Sequence, residues 1–157
     1  MSISIIEEHI FSAPPEKFFD FITNPFNMTT WVGYGPVPAI EKITPLTWPD
    51  RGVGASYRVE NSDGSSHEES VIMYDRPKRF HLAIGHFLSP FRFFIDRMEE
   101  DWQCEPKGRG TRARRTFILY PTATIVWSAV WLMGQTLWRQ AIRRNHGEIE
   151  KKLQKMT

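Results

Sequence analysis

The sequence is short of several features on which common classes of protein depend. It contains a single cysteine, Cys104, which excludes an internal disulfide and a cysteine-cluster metal site. Its net charge is only +2, which gives no sign of an obligatory nucleic-acid partner. It has no His-Glu-x-x-His motif, no glycine-rich phosphate loop and no recognisable Ser-His-Asp order. We therefore predict no metal, no cofactor and no nucleic acid among its partners.

The N-terminus also lacks the pattern of a secretory signal. Residues 1–9 (MSISIIEEH) carry no basic region, and acidic residues stand where a signal peptide is apolar. A cytoplasmic protein is the simplest expectation.

One stretch without charge, from Pro121 to Trp138, reaches the length of a membrane span. Seven of its residues are not apolar, so we expect the chain to be soluble without detergent. A helix that is apolar on most sides is usually buried. We expect this stretch either in the core or in the wall of an apolar cavity.

The sequence does contain many aromatic residues, with six Trp and eleven Phe in 157 residues. Its length fits one domain, residues 1–157. Hydrophobic residues make up 41% and charged residues 24%, which is typical of a globular protein.

Hydrophobic periodicity predicts a strand, two short helices, about six further strands and a long C-terminal helix. The predicted strands cover residues 3–11, 39–43, 55–60, 67–74, 80–86, 92–105 and 111–120. The predicted helices cover residues 16–22, 25–31 and 122–156, with a bend or break favoured near Gly134 or Gly147. A sheet with one solvated face must cover the other. Only the last helix is long enough, which predicts an α+β protein in which a curved antiparallel sheet wraps around it.

Four segments resemble a known family. They are residues 11–25 (FSAPPEKFFDFITNP), 52–55 (GVGA), 75–80 (DRPKRF) and 105–112 (EPKGRGTR), together with Trp31 after the second short helix. The chain resembles the SRPBCC group, the START-like superfamily that includes polyketide cyclase/dehydrase-like and lipid-transport proteins. This resemblance implies the helix-grip fold, in which a seven-stranded antiparallel sheet grips the C-terminal helix around a hydrophobic tunnel.

Arg115 is the first candidate for a functional residue. Strand alternation puts it on the inward face between Ala113 and Phe117. The turn at residues 107–110 brings it close to Glu100 on the preceding strand, directly opposite or one step diagonal. A charge inside the protein needs a partner. Arg115 is therefore either half of a structural ion pair or the anchor for a carboxylate or phenolate of an apolar ligand.

His86 is the second candidate, because it follows Phe80, Leu82 and Ile84 on an apolar face. It is either a residue at the end of a strand or a catalytic group. His67 and His81 are expected on the solvated face or near a turn. Aromatic residues complete the predicted cavity wall, and they are Trp31, Tyr57, Trp102, Phe117, Trp127 and Trp131.

Three functions fit these patterns. The first is binding of a small or medium hydrophobic ligand, such as a lipid or polyketide, between the sheet and the last helix. The second is a cyclase or dehydratase in which Arg115, Glu100 or His86 helps to enolise a carbonyl. The third is a protein-interaction module that uses the apolar half of the last helix. The sequence is also compatible with a homodimer and with transient contact between a membrane surface and a patch of basic residues. Its candidate residues are Arg109, Arg112, Arg114, Arg139, Arg143 and Arg144.

Overall fold

The computed structural model describes residues 1–156 and contains one antiparallel sheet of seven strands in the order β1-β7-β6-β5-β4-β3-β2. The strands are β1 Ile3–Phe11, β2 Ile40–Pro45, β3 Ser56–Asn61, β4 Ser66–Asp75, β5 Arg79–Leu88, β6 Ile95–Lys107 and β7 Gly110–Pro121. β1 and β2 are the two edges, and every strand between them pairs with two neighbours. The curved sheet and the long C-terminal helix confirm the predicted α+β helix-grip fold.

The helices lie in two regions of the chain. Helix α1, Pro15–Ile22, and the 3-10 helix Pro25–Thr30 connect β1 to β2. The C-terminal segment contains a 3-10 turn at Thr124–Val126, helix α2 at Trp127–Met133, a π-helical stretch at Gly134–Trp138 and helix α3 at Arg139–Lys155. A further 3-10 helix, Pro90–Phe93, precedes β6 and delays its start to Ile95, three residues after the predicted start.

Local sequence explains the two short helices. Pro15 opens α1, where a missing N–H costs nothing. The side chains of Phe18 and Phe21, spaced by three residues, are both buried on its inner face. The Asn24 side chain then accepts a hydrogen bond from the Phe26 amide at 3.2 Å and caps the next helix, as the sequence predicts.

The last strand shows the alternation that places the core on one side of the sheet. Ala113, Arg115, Phe117 and Leu119 are buried, whereas Arg114 is exposed on the opposite face. The predicted inward face of β7 is therefore confirmed. The core lies between this face and α3, which buries Ile142, Ile149 and Leu153.

The prediction that the first half of the last helix lies in the core or in a cavity wall holds for only part of it, where Val130 is buried and Met133 and Trp138 pack against the core. α3 covers the concave face of the sheet, whereas the preceding segment is largely exposed: Ile125 in the 3-10 turn is 91% exposed and Leu132 on α2 is 58% exposed. The change comes at Gly134, where the π-helical stretch begins. A Cβ at this position would lie 2.8 Å from the Ile5 Cδ1 atom, so glycine allows the helix to approach β1 closely.

The same part of the helix covers the free edge of β1. The Arg139 guanidinium donates a hydrogen bond to the Ile6 carbonyl at 3.1 Å, and the Gln135 amide donates to the Ser4 carbonyl at 3.5 Å. Arg139 also pairs with Glu7 on the same strand. Within residues 1–156, no helix is long and apolar enough to cross a membrane.

Candidate ligand-binding site

A cavity of about 390 Å³ lies between the inner face of the sheet, α3 and the two short helices that follow β1. Most of its wall is apolar, including Phe21, Met28, Val37, Leu82, Phe91 and Met98. Its volume falls within the range of small-molecule sites in proteins. Two clusters of polar side chains interrupt this apolar wall.

The first polar cluster is centred on Arg115. Its Nε atom donates to the Glu100 Oε1 atom at 2.8 Å, and its Nη1 atom donates to the Asn145 Oδ1 atom at 2.7 Å. Arg115 and Glu100 are only 5% and 7% exposed. Arg115 is opposite Trp102 in the β6–β7 ladder, so Glu100 is its diagonal neighbour. This diagonal position is one of the two that the sequence predicts.

Aromatic rings surround the Arg115 guanidinium. Its Cζ atom lies 4.4 Å from the ring centroid of Trp102, 4.8 Å from that of Phe117 and 5.4 Å from that of Trp31. The Trp102 indole also donates to the Glu100 carboxylate at 2.6 Å. Cation–π contacts and charge-assisted hydrogen bonds therefore hold the guanidinium in one position.

Electrostatics of the pair follow from its burial. Burial raises the pKa of Glu100, while the Arg115 guanidinium opposes that rise. Burial lowers the pKa of Arg115, and the Glu100 carboxylate opposes that change. An arginine does not lose its proton in a protein. We therefore take the buried Glu100 carboxylate as the counter-charge of Arg115.

The second polar cluster lies on β3 and β4. The His67 Nε2 atom lies 3.0 Å from the Glu69 Oε1 atom, and the Asn61 Nδ2 atom lies 3.3 Å from the His67 Nδ1 atom. All three residues line the cavity, and Glu69 is only 4% exposed. Burial and hydrogen bonds thus fix an imidazole and a carboxylate in the cavity wall.

The structure brings five of the predicted site residues together in the wall of the cavity. They are Arg115, Glu100, Trp31, Trp102 and Phe117. Four others lie elsewhere, namely Tyr57, His86, Trp127 and Trp131.

Tyr57 is buried in a different part of the core. Its hydroxyl donates to the Asp50 carbonyl at 2.6 Å, and burial raises its pKa to about 12. Trp127 and Trp131 stack on each other with ring centroids 6.5 Å apart on α2. They lie outside the cavity wall, to which α2 contributes only Met133 at its C-terminal end.

The predicted inward orientation of His86 is wrong. His86 has a positive φ of 53°, and the β4–β5 register shifts between the pairs Ser66–Leu88 and Glu68–Gly85. This bulge reverses the alternation of side chains, as an extra residue in one strand does. The His86 side chain is 81% exposed and contacts Glu68, while Phe87 lines the cavity instead.

Sequence reasoning did not assign several residues that line the cavity. Asn145 lies on the buried stripe between Ile142 and Ile149, at helical spacing that the sequence displays. His67 and Glu69 share the inward face of β4 with buried Val71. His67 lies near the β3–β4 turn, which is one of the two positions expected for it, and not on the solvated face. The alternation back from Val71 was the available signal.

His146 is a further buried polar residue, next to the Arg115 cluster. It is 2% exposed, and its ring centroid lies 5.7 Å from that of Trp102. Burial, with a smaller contribution from the Arg115 charge, lowers its pKa to about 2. The imidazole is therefore neutral in the folded protein.

The basic residues of the predicted patch fall into separate groups. Arg139 and Arg143 both pair with Glu7 on β1, whereas Arg112 pairs with Glu105 on the outer side of the sheet. A different surface lies beside the cavity, where Phe94 lines the wall and is also 47% exposed. We call the exposed apolar residues around the β5–β6 loop and at the start of the last helical segment the apolar rim, made of Leu88, Phe93, Phe94, Ile125, Trp131 and Leu132.

Residues 1–156 contain no group of three or more His, Cys, Asp or Glu side chains placed to hold a metal ion. The site thus consists of an apolar cavity, a buried ion pair and a His67–Glu69 pair. Together with the seven-stranded sheet that grips α3, it defines a helix-grip protein with a cavity between the sheet and the helix.

The chain belongs to the family described as polyketide cyclase / dehydrase and lipid transport, which matches residues 2–154 and is part of the SRPBCC superfamily. The resemblance seen in the sequence is thereby confirmed. No protein of curated function matches the chain.

Solved structures share the fold at low sequence identity. Ara h 8.0201 has a TM-score of 0.72 and 14% identity, with 99% of each chain covered. A norcoclaurine synthase from Thalictrum flavumn has a TM-score of 0.73 and 14% identity, with 99% of this chain and 96% of that chain covered. TTHA0849 from Thermus thermophilus has a TM-score of 0.71 and 18% identity, with 98% and 99% covered. At these identities the likeness concerns the fold.

Proposed function

We propose that the protein binds a small or medium hydrophobic ligand in the cavity between the sheet and α3. The observation that carries this proposal is a volume of about 390 Å³ with a mostly apolar wall. Burial of apolar ligand surface supplies the affinity, and a few fixed polar groups orient the ligand.

A fluorescence titration with a neutral naphthyl alcohol tests this function. Trp31, Trp102 and Trp138 line the cavity, so binding of the probe should change the intrinsic emission. The variant Ile84→Phe fills part of the cavity and should weaken binding by at least about tenfold, an order-of-magnitude expectation for lost contact area.

Ile72→Phe is the matched control. Ile72 is 46% exposed on the neighbouring strand β4, outside the cavity wall, so the same substitution there should leave affinity unchanged. Equal affinities of the wild type and both variants would show that the probe binds elsewhere. A wild type that binds no apolar probe would disprove the proposed function.

A cyclase or dehydratase is the second candidate function. The family description includes this activity, and Arg115 and Glu100 meet at the cavity wall, where a guanidinium can polarise a carbonyl. His86 drops out of this mechanism because its side chain lies in solvent. Deuterium exchange at carbon next to the carbonyl of a naphthyl ketone, followed by NMR, tests for enolisation. Exchange at the uncatalysed rate would remove this candidate for that substrate class.

We further propose that ligand exchange takes place at an anionic lipid surface through the apolar rim. The Thr122 hydroxyl donates to the Phe93 carbonyl at 2.8 Å, which holds the chain just before the helical segment against the 3-10 loop. Arg92 is the only charged residue from Leu88 to Ile95, and none occurs from Pro121 to Trp138. Aromatic residues beside a cation suit the membrane interface.

Sedimentation with vesicles tests this contact. Vesicles with phosphatidylserine should bind the wild type, and the double variant Phe93→Ser/Leu132→Ser should bind less. Binding of neither protein would rule out the lipid contact. A concentration-dependent dimer that the double variant abolishes would assign the rim to self-association instead.

A further inference from the structure

The charges that line the cavity do not balance. Three buried charged side chains face it within residues 1–156, namely Arg115, Glu100 and Glu69. Arg115 and Glu100 neutralise each other through direct hydrogen bonds. Glu69 therefore decides the net charge of the interior. At the exposed margin of the cavity, Asp63 adds a further carboxylate.

Within residues 1–156, the one hydrogen-bond partner of the Glu69 carboxylate is His67. The Asn61 amide points its Nδ2 group at the His67 Nδ1 atom and also donates to the Ser65 hydroxyl at 3.0 Å. The His67 ring therefore lies between Asn61 and Glu69 and contacts only one of the two oxygens of the Glu69 carboxylate.

Arg115 donates its direct side-chain hydrogen bonds to Glu100 and Asn145, and it attracts Glu69 only over a longer distance. Glu69 lies on β4 and Glu100 on β6, so their backbones are about 10 Å apart across one intervening strand. The Glu69 charge also adds to the causes that raise the pKa of Glu100. A buried carboxylate oxygen that accepts no hydrogen bond is unfavourable in an apolar site. A cation from outside the chain would relieve both effects.

Aromatic rings extend from this carboxylate along the cavity. The Phe87 ring lies 5.9 Å from that of His67 and 5.3 Å from that of Phe91, which stacks on Trp138 at 5.9 Å. Such faces accommodate an aromatic body and also attract a cation. The Glu69 Oε1 atom is occupied by His67, and the second oxygen has no partner within residues 1–156.

We propose that the cavity is selective for a protonated amine that carries an apolar, aromatic body, with the ammonium group on the free oxygen of Glu69. This inference rests on the proposed ligand-binding function and specifies its ligand class. A carboxylic acid of the same shape would place a second negative charge beside Glu69 and is disfavoured. An alcohol donates a hydrogen bond without charge and is intermediate.

Three naphthyl alkyl probes of equal length test the selectivity, an amine, an alcohol and a carboxylic acid, titrated at neutral pH. The amine should bind the wild type at least about tenfold more tightly than the alcohol, as expected for a charge-assisted hydrogen bond. The acid should be the weakest. Glu69→Gln keeps the shape of the side chain and should reduce amine affinity to that of the alcohol.

Glu68→Gln is the matched control. Glu68 is the preceding residue on β4, and its carboxylate contacts Arg58 and His86 outside the cavity. This variant should keep the wild-type preference for the amine. The ranking of the three probes on the wild type needs no variant, so misfolding of Glu69→Gln would not remove the test.

Two results would overturn the inference while leaving the proposed function intact. One is an acid that binds the wild type as tightly as the amine. The other is a folded Glu69→Gln variant with unchanged amine affinity. If none of the three probes binds, the proposed function itself fails, and the amine selectivity fails with it.

Discussion

Arg115 combines a full charge, nearly complete burial and a single acidic partner. We expect Arg115→Met to lower the free energy of unfolding by about 3–5 kcal/mol, because it strands the buried Glu100 carboxylate. The double variant Arg115→Met/Glu100→Leu removes both charges and should recover most of that loss. Urea denaturation of the two variants and the wild type measures the difference.

The same variants separate a structural role from ligand anchoring. If Arg115 also holds the ligand, the double variant should be stable and still fail to bind an apolar probe. Full binding by the double variant would assign the pair to stability alone. A wild-type melting temperature together with unaltered binding in Arg115→Met would contradict both roles.

Burial of His146 makes the stability of the protein depend on pH. Its pKa in the folded protein is about 2, whereas histidine in an unfolded chain titrates near pH 6.5. The unfolded chain therefore takes up the proton first. Stability from neutral His146 is complete above about pH 6.5 and falls as the pH drops, by at most about 1.4 kcal/mol per pH unit.

His146→Leu should flatten this dependence between about pH 6.5 and pH 5, before carboxylates begin to titrate. The midpoint of urea unfolding, measured at several pH values, gives the slope. His86→Gln serves as control because the His86 side chain is 81% exposed. An equal slope in His146→Leu and the wild type would mean that His146 is protonated, or accessible, in the folded state.

At the scale of elements, two glycines make a matched pair. A Cβ on Gly110 would lie 2.1 Å from the Phe11 carbonyl oxygen, a backbone atom that cannot move without disturbing β1. Gly147 lies inside α3, and a Cβ there would meet no neighbouring atom within 4 Å. Gly110→Ala should therefore destabilise the fold, whereas Gly147→Ala should stabilise it by up to about 1 kcal/mol. If both variants shifted the melting temperature in the same direction, this prediction would be wrong.

Helix α2 and the 3-10 turn before it yield a second prediction at this scale. Ile125→Ser and Leu132→Ser should change the unfolding free energy by no more than about 0.5 kcal/mol, because both side chains already lie in solvent. Ile142→Ala on α3 should cost about 2–5 kcal/mol, because it leaves a hole in the core. Denaturant unfolding compares the three. A large loss of unfolding free energy in Leu132→Ser would instead indicate that this part of the helix is buried, as the sequence predicts.

Elements were predictable where a local pattern determines them. The alternation in β7 and the cap at Asn24 depend on neighbouring residues, and both agree with the structure. The bulge at His86 depends on pairing with β4, and alternation within β5 alone carries no sign of it. Burial of α2 depends on how far the sheet extends beneath it, which its own apolar composition does not reveal.

At the scale of the whole molecule, the candidate site also contains residues whose positions were predictable from the sequence and residues whose positions were not. Arg115 and Glu100 were predictable as neighbours because one hairpin turn sets their register. Asn145 and Glu69 reach the cavity from elements far apart in the chain, so their meeting with Arg115 and His67 is a property of the fold. Sequence periodicity assigns each residue to a face, and only tertiary packing brings the faces together.

The contacts of Gln135 and Arg139 with the carbonyls of Ser4 and Ile6 concern the whole chain as well. An uncovered edge strand is a template for pairing with another molecule, and β1 is rich in isoleucine. The helix thus prevents the edge strand β1 from pairing with another molecule. Heat that detaches the helix would expose this edge before the sheet itself separates, so thermal denaturation should end in irreversible aggregation.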